Sequence, residues 1–390
     1  MKGRIVMKTS LVLAMAVIVS LIASLIAACA PAPRATPAPA SPAAPEKPEV
    51  IKWTAASCFP ATFPHYKFGV RVFKRVEEMS NGRLKVDCYP SGALMSGFEV
   101  FEACDMGTID AAISTPAYWS GYYSAAPLFA TFPLGFDPLE FYGWYYYWGG
   151  NELYHEMYSD RNFGFQHICG ACTPENLAWS HKPIRTLDDF KGLKFRTIAL
   201  WGEILSSLGC SVTPLPADEV YPALERKVID AAEWGSPFID KTLGFHEICE
   251  YMTVPGIHQP CGLTEILINK DSWNKLPDDI KAMIKYAAET SYWDQWFTLM
   301  KKDIEALKFF QDYGVKIIKF DPASIEKLIE LREKVFAKHA AKDPFFAKVL
   351  ESQQKFLREF YSYYDWMYPP ELVEAMRKAK KAEAEKALAE

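Results

Sequence analysis

From Val50 to Ser57 apolar and polar side chains alternate, the two-residue period of a half-buried strand. A loop carrying Pro60 and Pro64 follows. From Tyr66 to Met79 the apolar positions fall on one helical face until Asn81-Gly82 stops them, which predicts a helix. Leu84 to Tyr89 reads as a second strand. Ser96 and Glu99 stand at capping-box spacing and predict a helix through Met106, after which Ile109 to Ser114 returns as a short apolar strand. The order is βαβαβ, hence an α/β unit with a largely parallel sheet.

After an aromatic segment from Tyr118 to Trp148, whose Tyr145 to Trp148 end reads as helix packing, the alternation restarts. Strands are expected near Phe165 to Cys169, at Ala178 to His181 and at Lys194 to Thr197, with a helical turn at Leu187 to Phe190. A helix from Trp201 to Leu208 is stopped by Gly209, and Glu219 to Lys227 with Ile229 to Ala232 repeats helix and strand. A second α/β unit is the natural reading. From Leu276 onward, stretches rich in Lys, Glu, Ala and Leu predict helices, interrupted mainly between Asp312 and Ser324, where Val315 to Phe320 reads as a short strand. The chain shows no repeat and no interior stretch long enough to span a bilayer.

The first residues do not belong to the fold. Lys2, Arg4 and Lys8 precede an almost unbroken apolar run from Leu11 to Ala28, the build of a signal peptide. Leu25-Ile26-Ala27-Ala28-Cys29 resembles the lipobox of bacterial lipoproteins, in which the cysteine is lipidated after cleavage, so Cys29 is the expected membrane anchor. Residues 29–49 form a Pro/Ala-rich tract without a large apolar side chain before Val50, suited to a semi-stiff tether. Removal of the three basic residues takes the formal net charge from -5 to -8, which disfavours nucleic acid as a partner.

Cys29 aside, the eight other cysteines are scattered without a small-scaffold spacing, and a chain of this size does not need disulfides. Cys169-Gly170-Ala171-Cys172 is a CxxC with three readings: a thiol oxidoreductase pair, half a zinc site, or a strand end built of small residues. The last fits best, because a redox pair should open a helix and a zinc site needs a second pair of ligands. No GxSxG, HExxH or phosphate-binding glycine loop is present, and the seven histidines are dispersed, so the chain does not read as an enzyme.

Gly192-Leu193-Lys194-Phe195-Arg196, Gly202-Glu203 with Leu208-Gly209, Val228 to Trp234, and Ile268 to Pro277 resemble, in order and spacing, the DctP-like extracytoplasmic receptors of TRAP transporters. The resemblance runs from about Ile51 to the helical tail. Phe98-Glu99-Val100-Phe101, Trp148 to Leu153, Glu233-Trp234, Leu243-Gly244-Phe245 and Pro255 to Pro260 are similar to the branch that binds 2-oxo acids or lactate with a metal ion. It implies a two-lobe, periplasmic-binding-protein-like α/β fold of type II (Venus-flytrap), with a long inter-lobe helix and a helical tail. The expected divisions are 50–173 with 262–305 for lobe I, 174–261 for lobe II and 306–390 for the mainly helical C-terminal region.

The resemblance assigns the ligand's carboxylate to Arg196, whose guanidinium fork suits a carboxylate and keeps its proton, although most arginines are simply exposed. Glu233 follows the strand ending at Ala232, where ligands of open α/β sheets collect, and in the metal-using branch the matching glutamate binds the cation while the next residue, here Trp234, supplies a backbone carbonyl. The bland alternative for Glu233 is a helix cap or surface ion pair. Glu175 stands where that branch usually has a glutamine ligand. Two carboxylates would favour calcium over sodium; equally, Glu175 could repel an acid substrate, or a register one residue off would offer Asn176 instead. Tyr118 and Trp119 follow the strand Ile109 to Ser114 and could wall a bound acid or sit in the core. Phe59 is a further candidate wall.

The implied function is capture of a small organic acid by lobe closure, with a calcium or sodium ion bridging it to Glu233 and Glu175, and delivery to the TRAP membrane subunits outside the cytoplasmic membrane. A metal-free C4-dicarboxylate receptor, serving a TRAP or ABC importer or a sensor, is the alternative. Some members of the 2-oxoacid branch dimerise by exchanging a terminal helix. Leu357 to Leu388 is the corresponding candidate for a homodimer, and equally reads as a solvated helix.

Overall fold

A computed structural model describes residues 50–389 apart from residue 216. The signal-peptide, Cys29 and tether expectations lie outside the described residues. The first sheet holds β1 (Ile51–Ser57), β2 (Leu84–Tyr89), β3 (Ala111–Ser114), β4 (Phe163–Ala171) and β10 (Leu263–Asn269), in the order β2-β1-β3-β10-β4. The second holds β5 (Ala178–Ser180), β6 (Lys194–Arg196), β7 (Ser211–Thr213), β8 (Ala231–Ala232), β9 (Tyr251–Val254) and β11 (Lys316–Lys319), in the order β11-β9-β5-β8-β6-β7.

β1 pairs parallel with β2 and β3, as the βαβαβ pattern requires, but β10 runs antiparallel between β3 and β4. The first sheet is therefore mixed. No local pattern announces this, because β10 returns to the sheet from far along the chain. All seven residues of β10 are buried, since helices cover both faces of a central strand.

The helices are α1 (Pro64–Met79), α2 (Val100–Asp105), α3 (Pro138–Tyr147), α4 (Gly150–Met157), α5 (Ala199–Ser207), α6 (Ala217–Glu225), α7 (Pro237–Leu243), α8 (Phe245–Ile248), α9 (Lys270–Asn274), α10 (Asp278–Tyr313), α11 (Ser324–Ala340), α12 (Pro344–Met367) and α13 (Pro370–Ala389). Pro64 opens α1 at a position where its missing N–H costs nothing. Glu99 does reach back to the Ser96 N–H at 2.7 Å, yet the helix begins only at Val100.

Helix α10, of 36 residues, packs against α1 and β4 at one end and α7 at the other, tying the elements of the two sheets together. Its Asp303 accepts hydrogen bonds from Ser236 Oγ at 2.8 Å and the Phe238 N–H at 2.7 Å, fixing the start of α7, and one from Thr173, where the chain leaves the first sheet. No helix among the described residues is long and apolar enough to cross a membrane.

Candidate functional site

Four strands end at one place. Phe59 lies just past β1, Tyr118 in the turn after β3, Arg196 is the last residue of β6, and Glu233 is the first residue after β8. With Glu175, Trp234, Phe63, His65, Thr115, Thr131 and Gln259 they line a cavity of about 70 Å³ between the two sheets. A wider cavity of about 800 Å³, lined by apolar residues of α11 and α12 and by the 132–137 and 255–260 segments, shares no residue with it. The smaller one holds the buried charges.

Arg196 is 3% and Glu233 5% exposed, and Arg196 Nη1 lies 3.1 Å from both Oε1 and the backbone carbonyl oxygen of Glu233. Arg196 Nε donates to the carbonyl of Leu215 at 3.1 Å, and the guanidinium lies 4.2 Å above the Trp234 ring. An incoming carboxylate cannot take both Nη atoms of the fork, because Glu233 already takes the Nη1 side. Among the described residues Nη2 has no protein acceptor and remains for a ligand.

Glu175 Oε2 lies 3.1 Å from His258 Nε2, and its Oε1 accepts from Gln259 Nε2. Glu233 Oε2 is 3.8 Å from the same His258 nitrogen. One ligand atom from each of Glu175, Glu233 and His258 lies within 4.8 Å of the others, all three buried, a grouping that suits a cation. Burial alone would raise Glu233, but Arg196 and then His258 outweigh it and hold the carboxyl below its usual range. Glu175 goes the other way: burial, aided by the neighbouring Glu233 charge, pushes it up despite His258. Two carboxylates in one pocket are thus driven apart by which of them touches arginine.

The structure gathers Phe59, Tyr118, Glu175, Arg196, Glu233 and Trp234 around one cavity. Trp119 does not join them. It is buried, and its Nε1 donates to Glu265 at 2.7 Å beside Ser114, Tyr154 and Tyr158 hydroxyls, a polar cluster inside the first sheet's core. Asn176 is also elsewhere, with its amide on Asp240 at 2.7 Å. No role for His65, His258 or Gln259 was read from the sequence. The last two lie inside the Pro255 to Pro260 segment already singled out, where the signal was a histidine in an otherwise apolar run.

All eight cysteines among the described residues are free. Cys169 lies within β4 and Cys172 just past it, and burial pushes both thiols up. That removes the thiolate a redox pair needs.

Residues 55–343 match the bacterial extracellular solute-binding proteins, family 7, known as DctP. A monocarboxylate 2-oxoacid-binding periplasmic protein of Nostoc sp. is 29% identical over 316 residues, which cover 80% of this chain and 86% of that protein. The crystal structure of a TRAP periplasmic solute-binding protein from Pseudoalteromonas atlantica, with bound sodium and pyruvate, is 29% identical and superposes with a TM-score of 0.78, covering 84% of this chain and 99% of that one. One from Colwellia psychrerythraea, with bound calcium and pyruvate, is 28% identical with a TM-score of 0.79, covering 84% and 100%. The chain therefore belongs to the DctP family of extracellular solute-binding proteins, and is a transport receptor rather than an enzyme.

Proposed function

We propose that this protein captures a small 2-oxo monocarboxylate of the pyruvate type together with a calcium ion and hands it to the membrane subunits of a TRAP transporter. The observation that carries the reading is the small buried cavity holding one arginine and two carboxylates. With His258 neutral beside the ion, Arg196 and Ca²⁺ supply three positive charges, while Glu175, Glu233 and the acid supply three negative ones, so the closed site is neutral. Buried charge is tolerated only when compensated in this way. Glu175 and Glu233, with a Trp234 carbonyl, would hold the ion, which would present a hard oxygen-seeking charge to the acid. Sodium balances the same site if one proton is retained, on Glu175 or on His258, whose imidazole the two carboxylates raise against the cost of burial.

Arg196 binds the acid's carboxylate through the Nη2 side of its fork. Phe59 and Tyr118 from the first sheet, and Trp234 from the second, form apolar walls that exclude water. Burial keeps the Tyr118 hydroxyl protonated, so it serves as a donor and adds no charge. Because the walls come from both sheets, opening admits the acid and closing seals it. Lobe I is taken as residues 50–173 with 262–305, lobe II as 174–261, and 306–390 as the helical region strapped across them.

Relatives of known ligand support this choice: the Nostoc protein is named for 2-oxo acids, and the Pseudoalteromonas and Colwellia structures carry pyruvate with sodium or calcium. A C4-dicarboxylate would bring a second negative charge into a cavity of about 70 Å³ that offers one arginine. The test is a thermal-shift panel on chelator-treated protein with pyruvate, lactate, succinate and malate, each with calcium, sodium or neither. Stabilisation by monocarboxylates that depends on a cation supports the reading. Stabilisation by succinate without a cation overturns it.

Two further parts belong to the same proposal. Cys29 carries the lipid that holds the receptor at the outer face of the cytoplasmic membrane, on the strength of the Leu25 to Cys29 sequence. The C-terminal helix mediates a homodimer: Trp366 is 84% exposed, Leu372, Val373 and Met376 are also exposed on α13, and the apolar cavity of about 800 Å³ beside α11 and α12 offers a second copy a place to receive them.

A further inference from the structure

His65 lies in the first turn of α1, is 8% exposed, and lines the same small cavity as Arg196. Its ring is held between aromatic neighbours, with centroids 4.7 Å from Phe59 and 5.2 Å from Phe63. Nε2 is 2.8 Å from the sulfur of Cys172, whereas Nδ1 is buried and has no partner. A buried polar nitrogen without a partner is rare and costly in a folded protein.

The Cys172 contacts accommodate one assignment of the ring proton. Gln295, reaching in from α10, donates its amide N–H to the same sulfur at 3.0 Å and to Thr264 Oγ1 at 3.2 Å. Its Oε1 has no hydrogen-bond partner among the described residues and lies over Gly170, where an added Cβ would come within 1.9 Å of it. Gln295 takes one lone pair of the sulfur and leaves the S–H free to point at His65 Nε2. Burial keeps both partners neutral, lowering His65 to about 3 and raising Cys172. A neutral imidazole that accepts at Nε2 carries its hydrogen on Nδ1.

We infer that His65, fixed as the Nδ1–H tautomer by Cys172, donates a hydrogen bond to the oxygen on the second carbon of the bound acid and so selects 2-oxo acids over plain monocarboxylates. The inference rests on the reading that a small monocarboxylate occupies this cavity. It gives the buried CxxC cysteine a binding role in place of a redox one. A site whose buried donor is left unpaired rejects the analogue that lacks the matching acceptor.

The test is calorimetric titration of pyruvate and of propionate, which lacks only that oxygen, into the calcium-loaded protein. Wild type is expected to prefer pyruvate on the order of 10-fold. His65→Phe should lose that preference by weakening pyruvate and leaving propionate unchanged. His65→Asn, which places an amide donor near Nδ1, should restore most of it. Because the phenylalanine variant could fail to fold, ¹⁵N-labelled histidine in wild type gives an independent readout: an Nδ1–H tautomer at neutral pH whose signal moves with pyruvate and not with propionate. The inference is overturned if His65→Phe keeps the wild-type ratio, weakens both acids equally, or if the spectrum shows Nε2–H. If wild type binds neither acid, the monocarboxylate reading itself fails and this inference goes with it; if only the ratio survives in His65→Phe, that reading stands and His65 alone is excluded.

Discussion

Arg196 and Glu233, the end of one strand and the residue after another, meet at 3.1 Å with both side chains almost wholly buried. Each neutralises the other, so removing one leaves an uncompensated buried charge. Arg196→Ala is expected to destabilise the protein by about 3–5 kcal/mol and to weaken acid binding by at least roughly 30-fold. Chemical unfolding and calorimetry on the same variant check both. Arg196→Lys should recover part of the stability and little of the affinity, because a point charge does not reproduce the fork.

Glu175 sets the choice of cation. A third negative group balances a divalent ion, whereas a neutral amide there leaves a site balanced for a monovalent one. Glu175→Gln should therefore weaken calcium by roughly tenfold or more in the presence of pyruvate and bring sodium up to comparable effect. Calcium and sodium titrations of the two proteins decide this. An unchanged calcium affinity would take Glu175 out of the ion's surroundings.

The α/β class, the strand-end positions of Arg196 and Glu233 and the short strand after the long helix were all legible in the sequence, because each depends on local periodicity or on residues adjacent in the chain. What escaped depends on distant pairing. β10 closes the first sheet antiparallel because residues 263–269 return to it from far along the chain. Trp119 differs from Tyr118 only in which way a short turn after β3 faces; the buried Glu265 carboxylate, on β10, captures it. His65 lines the cavity from α1, and His258, in the segment after β9, touches its Glu175; nothing in their own neighbourhoods marks either for that place.

That Glu265 cluster carries its own prediction. The carboxylate is wholly buried and accepts from Ser114, Trp119, Tyr154 and Tyr158. Glu265→Ala strands these donors in the core and should cost about 3–5 kcal/mol in chemical unfolding. Glu265→Gln, which still accepts from part of the set, should cost clearly less.

Acid should loosen the fold through two of its buried histidines, His65 and His167. Burial lowers His167 from its ordinary 6.5 to about 3, with its Nε2 3.0 Å from the Tyr146 hydroxyl, and His65 behaves alike. Both are neutral in the fold and take up protons on unfolding, so their contribution is complete above pH 6.5 and is lost as pH falls toward 3. Each adds a slope of at most about 1.4 kcal/mol per pH unit in that window. Urea midpoints between pH 7.5 and 5 measure it, and His167→Gln should reduce the slope by close to one proton.

Deleting residues 369–390 removes the exposed apolar face of α13 and should turn a dimer into a monomer in light scattering, with acid binding unchanged. A full-length chain that is monomeric at micromolar concentration would exclude the helix-mediated dimer.

The most direct measurement is the calcium affinity of chelator-treated protein with and without saturating pyruvate. If ion and acid share the Arg196, Glu175 and Glu233 cavity, each must tighten the other by the same factor, expected on the order of 10-fold to 100-fold. Equal calcium affinity in the two titrations would contradict a shared site.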